Sequence, residues 1–323
     1  MQNIDLSKVK KGDSLLGYLF IKSQTVKTSA NGSRYFNMTL TDRHFNGMNA
    51  KMWDVQPVDE DEFVEGKLVK IKAKVQEYNN NLQIIVNRMR LTNEGDDVSV
   101  NEFVETAPAD IDAMYQDLLD TIAGFKNQDL KTLVGTMIQD KKAALMYFPA
   151  AKRMHHAYKG GLLFHTWSML RDAKALAPLY PFLDADLLYA GVMLHDLGKS
   201  VEMLSDENGS VSDYSKEGKL LGHIITGVVA IDEYGKKLGT DPEIVLELKH
   251  MVLSHHYEPE YGSPVKPMFA EAEMLHYLDV IDARMNTMEK VQSNTKAGDF
   301  SEKIWGLEGI QVYHKPDGPE GDA

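Results

Sequence analysis

Cysteine is absent from the chain. That excludes disulfides, thiolate metal sites and thiol nucleophiles together, and it fits a reducing compartment. Any metal must therefore bind through His, Asp or Glu. Also missing is any run approaching the ~20 apolar residues that a membrane span needs. The opening residues MQNIDLSKVKKGD hold no apolar signal core. The expectation is a cytoplasmic protein without a membrane partner. No internal repeat or low-complexity block is visible either.

What is present suits folded domains. The chain has 323 residues, 43% apolar and 26% charged. Single cores seldom grow much beyond ~250 residues, so two domains are expected. The net charge of −13 is unevenly divided, with 14 Lys/Arg against 10 Asp/Glu in residues 1–90 and a balance of −17 in the rest. Acidity, which would argue against a polyanionic partner, is thus concentrated outside the first part of the chain.

Residues 15–92 read as five short strands: LLGYLFIKSQTV, SRYFNMTLTD, GMNAKMW, GKLVKIKAKVQEY and LQIIVNRMRLT. Turn residues separate them at Asn31-Gly32, Asn46-Gly47, Glu65-Gly66 and Asn79-Asn80-Asn81. A small closed barrel is predicted. The strand count and order, with RYFNMTLTD as second strand, resemble an OB-fold of the nucleic-acid-binding kind. On that resemblance Tyr35, Phe36, Trp53 and Tyr78 are candidates to stack bases, and Lys22, Lys27, Arg34, Lys51, Lys70, Lys72, Lys74 and Arg88 to line a phosphate path. Strand alternation puts Tyr35 and Phe36 on opposite faces, so the two cannot serve together.

Residues 93–110 are acidic and poor in large apolar groups, which predicts a linker ending in a helix start at Asp110. From 111 to about 295 apolar residues recur three and four apart, the period of helices. The expected class is multidomain α+β: a five-stranded OB-type barrel over 1–92, the linker, an all-α bundle over 111–295, and a C-terminal segment, 296–323, whose end HKPDGPEGDA should fray.

Nine of the eleven histidines lie between residues 155 and 276. They stand in ordered segments: GGLLFH ending at His165, LHDLGK with His195, Asp196 and Lys199, GH with His223, SHH with His255 and His256, and LDVID with Asp279 and Asp282. Each falls on a different predicted helix, so neighbouring helices can turn them inward to form a cage. Imidazole and carboxylate without thiolate suit manganese, iron, cobalt, nickel or zinc. A lone histidine on an amphipathic helix is usually a core or surface residue, which places His44, His250, His276 and His314 outside the cage. His155 and His156, beside Arg153 ahead of the Gly160-Gly161 turn, leave surface placement and substrate contact equally open.

The order H, HD, H, HH, D matches the dinuclear phosphohydrolases of the HD superfamily. That resemblance implies one metal on His165, His195, Asp196 and Asp279, with Asp196 bridging to a second on His223 and His255; His256 is the weaker of its pair. It implies a substrate-phosphate contact for Lys199, and places for Asp282, Arg284, His156 and Arg153 behind the ligands or against the substrate. The HH segment reads HHYEPEYGSP, which departs from the Gly-Tyr-Pro signature of the cyclic-dinucleotide branch. An OB-type barrel ahead of an HD domain, with HHAYKGGLLFHT and LSHHYEPEYGSP, resembles the YhaM-type 3'-5' exoribonucleases. That implies a manganese-dependent hydrolase of single-stranded RNA, with single-stranded DNA a further substrate and a homo-oligomer left open. The alternatives are a phosphohydrolase of small nucleotides and a single-strand-binding regulator with a vestigial metal site.

Overall fold

Alternation of apolar and polar residues produces β1 (Ser14–Thr28), β2 (Arg34–Thr41), β3 (Gly47–Trp53), β4 (Leu68–Tyr78) and β5 (Asn81–Leu91), with a short helix α1 (Pro57–Glu62) between β3 and β4. In the computed structural model, which describes residues 4–316 apart from 30, 80, 152–155, 157, 207, 208 and 210, these strands close into a barrel in the order β1-β2-β3-β5-β4. Among the described residues of the barrel, the β3–β5 pairing is parallel and the others are antiparallel. Alternate residues point inward, among them Leu19, Ile21, Phe36, Met38, Leu40, Val69, Ile71 and Ile84, all essentially inaccessible to solvent. β1 pairs with both β2 and β4, and a register shift between Ile21 and Ser23 bends it from one partner to the other. The Asp42 carboxylate, fully buried, accepts N–H bonds from Leu6, His44 and Asn46 at 2.6–3.0 Å and so fixes the β2–β3 turn.

The acidic segment after β5 is not a free linker. Phe103 and Val104 are buried with Phe20 and Leu68, and Asp96 accepts both guanidinium nitrogens of Arg90, at 2.6 and 2.8 Å, and the Tyr18 hydroxyl at 2.8 Å. Two apolar residues suffice to dock it, which average composition conceals. The barrel unit accordingly comprises Met1–Thr106 with Ser205–Ser212, and the second unit Ala107–Leu204 with Asp213–Ala323.

The second unit holds α2 (Ile111–Ala123), α3 (Gln128–Asp140), α4 (Lys142–Tyr147), α5 (Gly161–Leu176), α6 (Ala185–Leu194), α7 (Lys199–Glu202), α8 (Lys216–Leu238), α9 (Pro242–Ser254) and α10 (Ala270–Ser293). A separate two-stranded sheet pairs β6 (Met203–Ser205) with β7 (Val211–Tyr214). Asp110, Asn127, Asp184, Ser215 and Asp241 each cap a helix through a side-chain oxygen. Leu187, Leu188, Ala190, Gly191, Val192, Met193 and Leu194 of α6 are all buried. A helix apolar on every side belongs in the middle of a bundle, and α6 packs against α3, α5, α9 and α10. Among the described residues no helix is long and apolar enough to cross a membrane. The C-terminal segment turns back on itself through Phe300–Tyr313 and Ile304–Ile310 bridges. His314 is tied to the carbonyl of Thr295 at 2.6 Å, so order extends into the stretch expected to fray; residues 317–323 lie outside the described residues.

Candidate metal centre and nucleic-acid interface

Five helices deliver the ordered histidines and aspartates to one buried point. His165 lies on α5, and His195 is the residue that closes α6, with Asp196 next to it. His255 closes α9, followed by His256, and Asp279 and Asp282 lie one turn apart on α10. His223 reaches the point because α8 is kinked at Gly222, whose φ of 71° suits glycine. Gly198 provides the close approach: a β-carbon there would come within 2.1 Å of the His223 carbonyl oxygen.

Two sets of donor atoms share Asp196. On one side His165 Nε2 lies 3.3 Å from His195 Nε2, 3.6 Å from Asp196 Oδ2 and 3.4 Å from Asp279 Oδ1, and His195 Nε2 lies 3.4 Å from Asp196 Oδ2. Bonds of about 2.0–2.2 Å to a common tetrahedral centre place donor atoms roughly 3.3–3.6 Å apart, so this spacing fits a transition-metal cation. On the other side Asp196 Oδ1 lies 3.4 Å from His223 Nε2 and 3.9 Å from His255 Nε2. These three buried atoms have no hydrogen-bond partner among the described residues. Leaving buried polar atoms unsatisfied is costly, and three converging ones are best explained by a cation that satisfies them together. His256 joins this side, forming a third imidazole donor with His223 and His255. Either ring of the pair could therefore serve as a donor beside His223.

The far nitrogens are also fixed. His165 Nδ1 meets Asp282 at 2.6 Å, His223 Nδ1 meets Glu202 at 3.0 Å, and His195, His255 and His256 direct Nδ1 at the carbonyls of Val192, Val252 and Tyr261, at 2.7–2.8 Å. An acceptor at Nδ1 places the ring proton there and leaves Nε2 as a donor to metal. Electrostatics agree with a cation. Burial opposes charge on His165, but Asp279 and Asp282 more than offset it and push the imidazole up to about 10; a metal would take the place of that proton in the same well. Burial, aided by His256, holds His255 far below the ordinary imidazole value, in the neutral form that binds metal. Burial would raise Asp196, yet Lys199, His195 and His223 together hold it well below the carboxylate range.

Lys199 is found 2.6 Å from Asp196 Oδ2, held protonated by that carboxylate against the effect of its burial. His156 lies behind the centre: its Nε2 shares Asp282 Oδ2 at 2.7 Å and its Nδ1 meets the Tyr158 hydroxyl at 2.7 Å. Arg284 points elsewhere, paired with Glu308 at 2.7 Å, because one turn and a half along α10 from Asp279 is a different face. Arg153 falls outside the described residues. Two participants escape a reading of the sequence. Glu202 lacks any motif, and His276, set outside the cage as a lone histidine, holds the His255 carbonyl at 2.8 Å through Nδ1; its helical spacing of three from Asp279 was the available signal.

In the barrel, Tyr35 and Trp53 stack across β2 and β3 at 4.5 Å. The Lys51 ammonium lies 5.3–5.9 Å from the rings of Tyr35, Trp53 and Tyr78. Aromatic faces beside a cation on an exposed sheet suit bases and phosphates. Phe36 is corrected to a core residue, fully buried and edge-on to Phe63 at 6.5 Å, since alternation gives the outer face to Tyr35. Arg34 is engaged with Glu60 of α1, while Lys22 and Lys72 are exposed on β1 and β4.

Residues 162–284 match the HD domain family and residues 22–92 the OB-fold nucleic acid binding domain family. Over 303 residues, 94% of this chain and 92% of its counterpart, the sequence is 40% identical to 3'-5' exoribonuclease YhaM of Geobacillus sp. (strain WCH70). It is 39% identical to proteins of that name from Listeria innocua, over 94% of this chain and 96% of the other, and from Halalkalibacterium halodurans, over 94% and 95%. Likeness that runs through both units at such identity leaves one conclusion: the chain belongs to the YhaM family of 3'-5' exoribonucleases.

Proposed function

We propose that this protein is a metal-dependent 3'-5' exoribonuclease that hydrolyses single-stranded RNA at a dinuclear centre. The observation that carries the reading is the meeting of Asp196 Oδ1, His223 Nε2 and His255 Nε2 without partners, beside a second donor set that uses the other oxygen of Asp196. Manganese is the proposed metal, since an all-imidazole and carboxylate set accepts it along with iron, cobalt, nickel or zinc. Two such cations supply Lewis acidity at the phosphate and a lower pKa for the attacking water.

The chain's own residues do the rest. His165, His195 and Asp279 would hold a metal at the inner position, His223, His255 and His256 one at the outer position, and Asp196 has an oxygen on each side. Lys199 brings a fixed positive charge to the edge of the centre, where charge develops on the phosphate oxygens during attack. Asp282 keeps His165 in the required tautomer. The barrel contributes grip, through bases stacked near Tyr35, Trp53 and Tyr78 and phosphate contacts that weaken as salt rises.

The test is incubation of 5'-end-labelled RNA with purified protein and manganese, followed by size analysis. A ladder of labelled fragments shortening from the 3' end, abolished by chelation and restored by manganese, is expected. Intact RNA alongside hydrolysis of small nucleotides would overturn the reading in favour of a nucleotide phosphohydrolase.

A further inference from the structure

The imidazoles of the centre are fixed in two ways. His195 and His255 use the carbonyls of Val192 and Val252, three residues back, an arrangement built into the helix ends that no side-chain change can remove. His165 and His223 use carboxylates, Asp282 and Glu202. The two carboxylates differ in setting. His165 and Asp282 are almost completely buried, at 0% and 5% side-chain exposure, whereas His223 and Glu202 are 12% and 16% exposed. Glu202 also stands on a distinctive piece of chain. It ends the four-residue α7, which begins three residues after Asp196. Its backbone carbonyl accepts the Ser215 N–H at 2.9 Å, and the Ser215 hydroxyl donates to Val201 at 2.8 Å. The kink at Gly222 faces it: a β-carbon there would lie 3.8 Å from Glu202 Oε1. Backbone on both sides thus sets the Glu202 carboxylate against His223 Nδ1.

We infer that Glu202 is a positioning residue for the outer metal position alone: it fixes His223 so that Nε2 meets Asp196 Oδ1, and the outer position consequently loses its ion independently of, and before, the inner one. The inference rests on the two-metal reading above. An anionic acceptor at Nδ1 raises the donor strength of Nε2 as well as orienting the ring, and removing such a partner weakens metal binding by about 10–100-fold. Among the described residues, none of His165, His195, Asp279 and Asp282, which make up and back the inner position, is hydrogen-bonded or ion-paired to Glu202. Loss of the Glu202 carboxylate should therefore act on one ion of two.

The experiment is equilibrium dialysis of the purified full-length protein against manganese chloride, with bound and free metal read from the manganese paramagnetic resonance signal and folding followed by circular dichroism. The wild type should bind two ions per chain. Glu202→Ala should keep one ion at wild-type affinity and bind the other about 10–100-fold more weakly. Glu202→Gln, which retains an oxygen acceptor but no charge, should show a smaller, several-fold weakening at the same position, and it carries the test if the alanine variant does not fold. His223→Ala should reproduce the one-ion state. Two ions at wild-type affinity in both Glu202 variants would overturn the inference, as would equal loss of both ions. A wild type that binds a single ion would instead remove the two-metal reading on which the inference stands.

Discussion

In the barrel, the side chains suited to a ligand lie outside the core: Trp53 and Tyr78 are 43% and 60% exposed, and the apolar interior is complete without them. In the helical unit the reverse holds. His165, His195 and His255 are wholly buried, and their donor atoms interrupt what would otherwise be an apolar bundle centre. The contrast teaches how each unit meets change. A surface patch shares its work among many weak contacts, so the loss of one is graded. A buried cage depends on every member, because a removed donor leaves its neighbours unsatisfied in a medium of low dielectric.

The largest expected effect therefore belongs to Asp196. Asp196→Ala removes the carboxylate shared by both donor sets and, on the two-metal reading, would leave like-charged cations facing each other without a screen. RNA hydrolysis should fall by roughly 10²–10³-fold or more, equivalent to about 3–4 kcal/mol of barrier. Metal content and rate measured on remetallated protein check this, and near-normal turnover would break the contrast at its strongest point. Next comes Lys199→Ala. An ammonium cannot join the metal while protonated, so manganese content should hold while the rate drops by about 10–100-fold, in the range of one lost electrostatic contact to the reacting phosphate. Loss of metal in this variant would assign the lysine to holding Asp196 in place.

The members of the helical site stood out in the sequence because they are uncommon residues in a fixed order, each on its own predicted helix, with His195 just ahead of Gly198, where a helix end was expected. Barrel strands were legible to within a residue or two for the same kind of reason, since alternation and turn residues are local. What escaped depends on three-dimensional neighbours. Glu202 is one acidic residue in a chain rich in them, and only the kink in α8 brings His223 to it. The phase of β2 was equally hidden, because RYF reads as well with Phe36 outward as with Tyr35 outward until Phe63 is seen packing against it. The segment 93–106 looked like a linker because two apolar residues, Phe103 and Val104, are too few to show in composition, although they are enough to dock it.

On the barrel, Trp53→Ala should weaken binding of single-stranded RNA by about 1–3 kcal/mol, the contribution of one stacked base. The loss should appear as a raised KM on long RNA, with hydrolysis of a small artificial phosphodiester unchanged, because the metal-centre residues all belong to the other unit. Removal of Tyr78 in addition should deepen the effect by a smaller step, since Lys51 and Tyr35 still offer a cation and a ring. Fluorescence titration with labelled oligonucleotides over a salt series measures both. A drop in kcat on the small substrate would erase the division of labour between the units.

The smallest effect is expected at Arg284, a residue that family resemblance placed against the substrate and the structure places elsewhere. Its side chain is 38% exposed and that of its partner Glu308 80% exposed, so the pair is open to screening by water. Exposed pairs of this kind contribute about 0–1 kcal/mol, and often nothing measurable. Arg284 lies five residues beyond Asp279 on α10, whereas Asp282, three residues beyond it, faces His165 and His156. Helical geometry turns position 284 away from the face shared by 279 and 282. Arg284→Ala should therefore leave kcat and KM for RNA within about twofold and stability within about 1 kcal/mol. Steady-state kinetics and thermal melts of the variant decide it. A tenfold or greater loss of kcat, with the melt unchanged, would mean that the arginine leaves Glu308 to reach the substrate, and the buried centre would then extend to a surface charge.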